Sequence, residues 1–168
     1  LTNTGATAVY GEGSSACYND SPDIDACDEV QSLAEYGRLY KWYAVDDARG
    51  LCPSGWHVPT DGEWTDLKNY ISTQGFSGTE GTALKSTYGW MDGGNGTDDF
   101  GFSALPGGLR YDGNAFFYFA GSWGYWWTSS PGGSVGESRN LASSNSGIGG
   151  GTGNSQDGFS VRCLRDAE

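Results

Sequence analysis

The chain reads as one α+β domain, and three observations carry that reading. A segment at 61–73 shows helical periodicity behind a capping signal. The later half breaks into short apolar runs separated by turn residues. The aromatic content, 7 Trp, 10 Tyr and 7 Phe in 168 residues, argues against disorder even beside 29 glycines. A chain of this length fits a single domain, able to bury roughly 70% of its unfolded surface. The net charge of −12 repels phosphate backbones and anionic membranes, so nucleic acid is not an expected partner. No apolar run approaches the roughly 18 residues of a membrane span, so no membrane insertion is expected. The chain starts at Leu1 without a signal peptide or initiator Met, which reads as a processed product.

Residues 1–35 form a polar, turn-rich N-terminal loop region. Within it "CYNDSPDIDAC" reads as a small loop pinned by Cys17 and Cys27. Cys52 and Cys163 complete an even set without a CxxC pair, and four cysteines allow three pairings. His57 is the lone histidine, so a zinc site of Cys/His spacing is not expected. Structural disulfides are expected instead, and with them an exported chain.

"YGRLYKWYAVDDARG" follows. Its Leu39, Tyr40, Trp42 and Tyr43 suit a strand leading into a short helix that ends near Gly50. In "GLCPSGWHVPTDGEWTDLKNYI", Pro59 stops what precedes it, and Thr60 with Glu63 three residues on forms a capping box. Trp64, Leu67, Tyr70 and Ile71 recur at helical spacing, which predicts a helix over 61–73 with one apolar stripe against a core. Beyond it, "FGFSALPGGLRYDGNAFFYFAGSWGYWWTSS" gives short apolar runs broken by "PGG", "DG" and "GSWG", the pattern of short strands and turns. "GFSVRCL" reads as a final strand.

Four motifs, "GLCPSGWHVPTDGEWTDL", "GNGTDDFGFSALPGG", "GYWWTSS" and "GFSVRCLRD", resemble, in this order, the Fibrobacter succinogenes major paralogous domain; the likeness spans about 36–166. That family is similar to the formylglycine-generating branch of the C-type lectin fold. The resemblance implies two helices and a twisted, mostly antiparallel sheet with short strands and long loops, its N- and C-terminal strands lying close together. The same fold carries the variable proteins of diversity-generating retroelements, whose varied residues lie near the C-terminus. The expected disulfides are Cys17 with Cys27 and Cys52 with Cys163.

The relatives that generate formylglycine are oxidases working through a cysteine pair upstream of the closing strand. Here 129–158 holds no cysteine, and Cys163 matches the structural cysteine of that strand. Without a nucleophilic thiol the chemistry has no agent, and no catalytic residue is assigned. His57 lacks a local Ser or Cys nucleophile motif, and its place in "WHVPT" implies a hydrogen-bonded scaffold role. Asn95, Asp98 and Asp99 sit in a Gly-rich turn where Asx hydrogen bonding accounts for them; a structural calcium is the alternative reading, and no other cofactor is expected. Trp123, Trp126 and Trp127 suggest a sugar-stacking platform, but strand alternation sends Trp126 and Trp127 to opposite faces, so at least one belongs to the core. The calcium-dependent sugar motifs of true lectins are absent from the sequence.

The remaining stretch, "RNLASSNSGIGGGTGNSQDGFSVRC", has the composition of a linker yet runs straight into the closing strand. Leu141 and Ile148 look like anchors into the core, with Phe159 behind them. Ser138, Asn140, Ser143, Ser144, Gly147, Gly149, Gly151, Thr152 and Asn154 are the candidate ligand-binding residues, displayed by segment 138–158. If the segment is a diversified one, adenine-rich template codons, AAC or AAT, yield Asn, Ser, Gly, Thr, Ala, Asp or Ile at such positions, whereas Glu137 and Gln156 cannot arise that way and are expected to be fixed. The function expected is a ligand-binding module, extracellular or on a cell or virion surface, recognising a protein or carbohydrate. A structural or adhesive domain without a selected ligand is the second reading, and a formylglycine-generating-type oxidase the third.

Overall fold

The computed structural model describes residues 7–8, 34–113, 117–132 and 135–167. The short β1 (Thr7–Ala8) lies antiparallel to β2 (Leu39–Tyr40), so the N-terminal region is not loop throughout. The Cys17–Cys27 expectation falls outside the described residues. A four-residue helix, α1 (Trp42–Val45), follows β2 and buries Trp42 and Ala44. Next comes β3 (Trp56–His57), and then α2 (Asp61–Ile71).

Thr60 starts α2 as expected. Its hydroxyl accepts from the Glu63 N–H, and the Glu63 carboxylate accepts from the Thr60 N–H at 2.8 Å. Such a cap contributes about 1 kcal/mol. The helix ends earlier than the 61–73 expected. Thr73 donates its hydroxyl to the Tyr70 carbonyl (2.6 Å) and Gly75 takes φ +100°, so the chain widens into a π-turn at Ser72–Phe76. Trp64 and Ile71 are buried and Leu67 partly so, but Tyr70 is 56% exposed. Tyr70 is six residues from Trp64, about 240° round the helix, and rests edge-on against Phe100 instead. After α3 (Glu80–Leu84) the chain turns to strands.

These strands are β4 (Gly107–Arg110), β5 (Phe117–Ala120), β6 (Trp123–Gly132), β7 (Val135–Ala142) and β8 (Gly149–Gly153), in the order β5-β4-β6-β7-β8. Only the β4–β6 pair is parallel, so the sheet is mostly antiparallel and the domain is α+β. Strand alternation along β6 divides the core. Trp126 faces α2 and meets Trp64, in a cluster with Ile71, Leu84, Trp90, Leu141 and Ile148. Trp127 points the other way, onto Trp42 and Phe159. Both tryptophans are core.

The closing segment is not one strand. Phe159 exchanges backbone hydrogen bonds with Tyr40, Gly158 with Arg110, and Ser160 bonds to Tyr125 and Trp127. Residues 158–160 thread among β2, β4 and β6 and take a partner from each, which leaves no continuous ladder. The chain then regains pairing at β9 (Leu164–Arg165), antiparallel to β3. Cys52 and Cys163 are bonded, joining the two segments that lead into this pair. No helix among the described residues is long and apolar enough to cross a membrane.

Candidate functional site

The glycine-rich stretch is ordered as a hairpin. β8, sequence GGGTG, pairs with β7 from Gly136↔Gly153 to Asn140↔Gly149 and forms one edge of the sheet. Glycine is needed at Gly153, where a Cβ would lie 2.6 Å from Trp127 and 2.8 Å from Phe159. The turn between the strands is pinned from below. Thr82 N–H donates to the Ser146 carbonyl (2.9 Å), Ser143 N–H to Ser122 (2.8 Å), and the Lys85 ammonium to the carbonyls of Ala142 (3.0 Å) and Asn145 (3.1 Å). Gly81 lets α3 approach this turn, since a Cβ there would overlap the Gly147 carbonyl.

Lys85 is only 3% exposed and its ammonium stands 5.2 Å from the Trp90 ring centroid. Burial pushes its pKa below the ordinary lysine value. Sequence reasoning missed it, and the available signal was slight: a lysine directly after the apolar pair Ala83–Leu84.

The displayed residues do not share one face. Partners across an antiparallel ladder point the same way. By that rule Asn140, Gly149 and Gly151 lie on the side of Trp123 and Tyr125, whereas Thr152 lies on the opposite side with Glu137 and Arg139. Ser144, Gly151, Thr152 and Asn154 are exposed; Asn140, Ser143, Gly147 and Gly149 are half-buried. Ser138 departs from expectation. It is 4% exposed, opposite Trp127 in the ladder, and its hydroxyl donates to Gly151 O at 3.3 Å. The anchors Leu141, Ile148 and Phe159 are all buried.

Neighbouring side chains fix the frame of the hairpin. Arg139 donates from Nε to Asp61 Oδ1 (2.7 Å) and from a terminal nitrogen to Thr65 (2.9 Å), tying β7 to α2. Gln156 accepts from Lys41 (3.0 Å). Asn154 accepts from the Gln156 N–H, and the buried Asp157 accepts from Asn154 and Asp112 N–H groups; burial raises the Asp157 pKa.

A three-tryptophan platform is not present. Trp123 is half-buried and stacks on Tyr125 (5.7 Å, 11°), and the column continues through Phe159 to Trp127. Side-chain hydrogen bonds hold the Gly-rich turn, though for Asn95 and Asp98 over longer spans than an Asx turn: Asn95 accepts from Trp90 N–H, Asp98 from Ser103 N–H and hydroxyl, and Asp99 from the Thr97 hydroxyl. No group of three His, Cys, Asp or Glu able to hold a metal occurs among the described residues.

His57 sits between two carboxylates, Nδ1 2.6 Å from Asp166 and Nε2 2.9 Å from Glu63. The Asp166 hydrogen bond, then that of Glu63, holds the imidazole pKa above its ordinary 6.5. Burial opposes ionisation of Glu63, but the Thr60 and His57 hydrogen bonds keep its pKa below the ordinary 4.5. The raised histidine stabilises fully below its unfolded value of 6.5, and this contribution is lost as pH rises through the folded value. The depressed glutamate stabilises above 4.5, and its contribution is lost on acidification through the folded value. The clasp is therefore at full strength between about pH 4.5 and 6.5. The groups are over a third exposed, so the effect is less than about 1 kcal/mol. Melting curves across pH for the native chain and His57→Gln check it: the alkaline decline is expected to shrink in the variant, and parallel profiles count against the clasp.

The fold and hairpin define a disulfide-stapled α+β domain that carries a pinned polar turn on one sheet edge. The family model of the Fibrobacter succinogenes major domain matches residues 4–165, and the chain belongs to this family. No curated protein and no solved structure matches the chain.

Proposed function

We propose that this domain is a non-catalytic ligand-binding module of the C-type lectin type, extracellular or on a cell or virion surface. It recognises a protein or glycan through its β7–β8 hairpin, in the manner of retroelement-diversified variable proteins. The observation that carries the reading is the pinned turn: Lys85, Thr82 and Ser122 hold the backbone of 142–146 while Ser144, Asn145 and Ser146 face solvent. Binding groups on an exposed segment fixed by a rigid frame lose little entropy on association. The Cys52–Cys163 bond suits an oxidising compartment. The non-catalytic reading has its own support, because Cys163 is bonded to Cys52 and both His57 ring nitrogens are engaged by carboxylates.

The test is a surface-display library varying Asn140, Ser143, Ser144, Gly147, Gly149, Gly151, Thr152 and Asn154, panned against an unrelated protein and a glycan set. Most members are expected to stay folded and to yield binders. In a Lys85→Met background the same library is expected to yield far fewer, since the turn loses its support. A library that mostly unfolds, or equal yields from both backgrounds, removes the display reading.

A further inference from the structure

On the opposite side of the sheet from the Trp123–Tyr125 stack, α2 and the closing segment enclose a cleft of about 260 Å³ whose walls include Glu63, Trp64, Leu67, Phe102, Arg162 and Leu164. Its surface is almost wholly apolar, and Glu63 and Arg162 are the charged residues among its walls. The Arg162 guanidinium lies over the Phe102 ring, 4.0 Å from its centroid, and has no hydrogen-bond acceptor or ion-pair partner among the described residues. Arg139 and Arg49, by contrast, each bond to an aspartate. Burial lowers the Arg162 pKa, with Asp98 acting against it.

The carboxylates of this region are already engaged. Glu63 is held by Thr60 and His57, Asp98 by Ser103, and Asp166 by His57. Trp64, another wall of the cleft, is 3% exposed, and its Nε1–H has no acceptor among the described residues. Leu164, another of its walls, is 41% exposed.

We propose that this cleft is a second binding site, independent of the hairpin, for a small free monocarboxylate with an apolar ring or short alkyl body. The guanidinium fork takes the carboxylate in a bidentate pair, and the apolar body packs on Trp64, Leu67 and Phe102. The volume suits one ring-sized body, being below the usual range for drug-sized ligands of roughly 300–1,000 Å³.

Phenylacetate is the probe, titrated into the whole chain while indole N–H and methyl resonances are followed by NMR. Saturable shifts at Trp64 and Leu164 are expected, with phenylacetamide, its neutral counterpart, binding at least about tenfold more weakly. Arg162→Gln is expected to weaken phenylacetate by at least about tenfold, and Arg162→Lys by less, because a lone ammonium keeps the charge and loses the fork. The phenylacetamide comparison uses the native chain and so stands even if Arg162→Gln fails to fold. Equal affinity for acid and amide, an unchanged constant in a folded Arg162→Gln, or shifts confined to the hairpin overturns the site. A short peptide ending in Phe with a free carboxylate is the remaining arm. If it binds more tightly than phenylacetate, the occupant is a chain end and the free-acid assignment falls.

Discussion

Replacing Cys52 and Cys163 together by Ser is expected to lower the unfolding free energy by about 4–5 kcal/mol. The bond closes a loop of 111 residues, and chain-entropy reasoning assigns a loop of that length about 5 kcal/mol. The enclosed segment contains α2, α3 and every strand of the five-stranded sheet, so releasing it enlarges the unfolded ensemble of nearly the whole core. Both cysteines are only half-buried, and the Ser pair therefore adds little cavity cost. Against a typical stability of about 5–15 kcal/mol the loss is large. Urea unfolding of the native chain and the double variant measures it. The variant is preferable to reductant because it leaves Cys17 and Cys27 untouched. A loss under about 1 kcal/mol would mean that the unfolded chain is already compact across this loop, which would remove the entropic account.

What the sequence disclosed about this fold depended on how local the cause was. The capping box at Thr60 and Glu63 is a contact three residues long, so it was legible. The opposite burial of Trp126 and Trp127 follows from the two-residue period of a strand and needed no partner to be known. Leu141 and Ile148 stood out as apolar residues among polar ones. Gly149–Gly153 did not read as a strand, because glycine has low strand propensity and the reasons for it here are distant. β7 supplies the ladder, and Trp127 and Phe159 occupy the space of a Gly153 side chain. Ser138 was misplaced for a related reason. Polarity suggested exposure, whereas register puts it opposite Trp127. The Lys85 contacts lie 57 and 60 residues away in the chain, beyond any local pattern. The closing "GFSVRC" looked like one strand because composition cannot show that neighbouring residues pair with different partners.

Leu141→Ala is expected to cost about 2–5 kcal/mol, while single changes at Ser144, Gly151, Thr152 or Asn154 stay within about 0.5 kcal/mol. Leu141 is 1% exposed and belongs to the cluster of Trp64, Ile71, Trp126 and Ile148. Removing its branched end leaves a void among rings that α2 and the sheet hold in place, so collapse is limited and the cavity cost remains. The four surface positions lie outside that cluster, and the Gln156 N–H bond to Asn154 is exposed to solvent; a Cβ at Gly151, for instance, would have no atom within 4 Å. Ser138→Tyr separates this map from a uniformly mobile hairpin. A ring there must enter the packed side of β7, with an overpacking cost of about 1–3 kcal/mol, unlike changes at the exposed positions of the hairpin. Thermal and urea melts of the six single variants decide the matter. If Leu141→Ala and Ser138→Tyr melt with the native chain, the hairpin is not held by the core, and the rigid frame on which the binding proposal rests is absent.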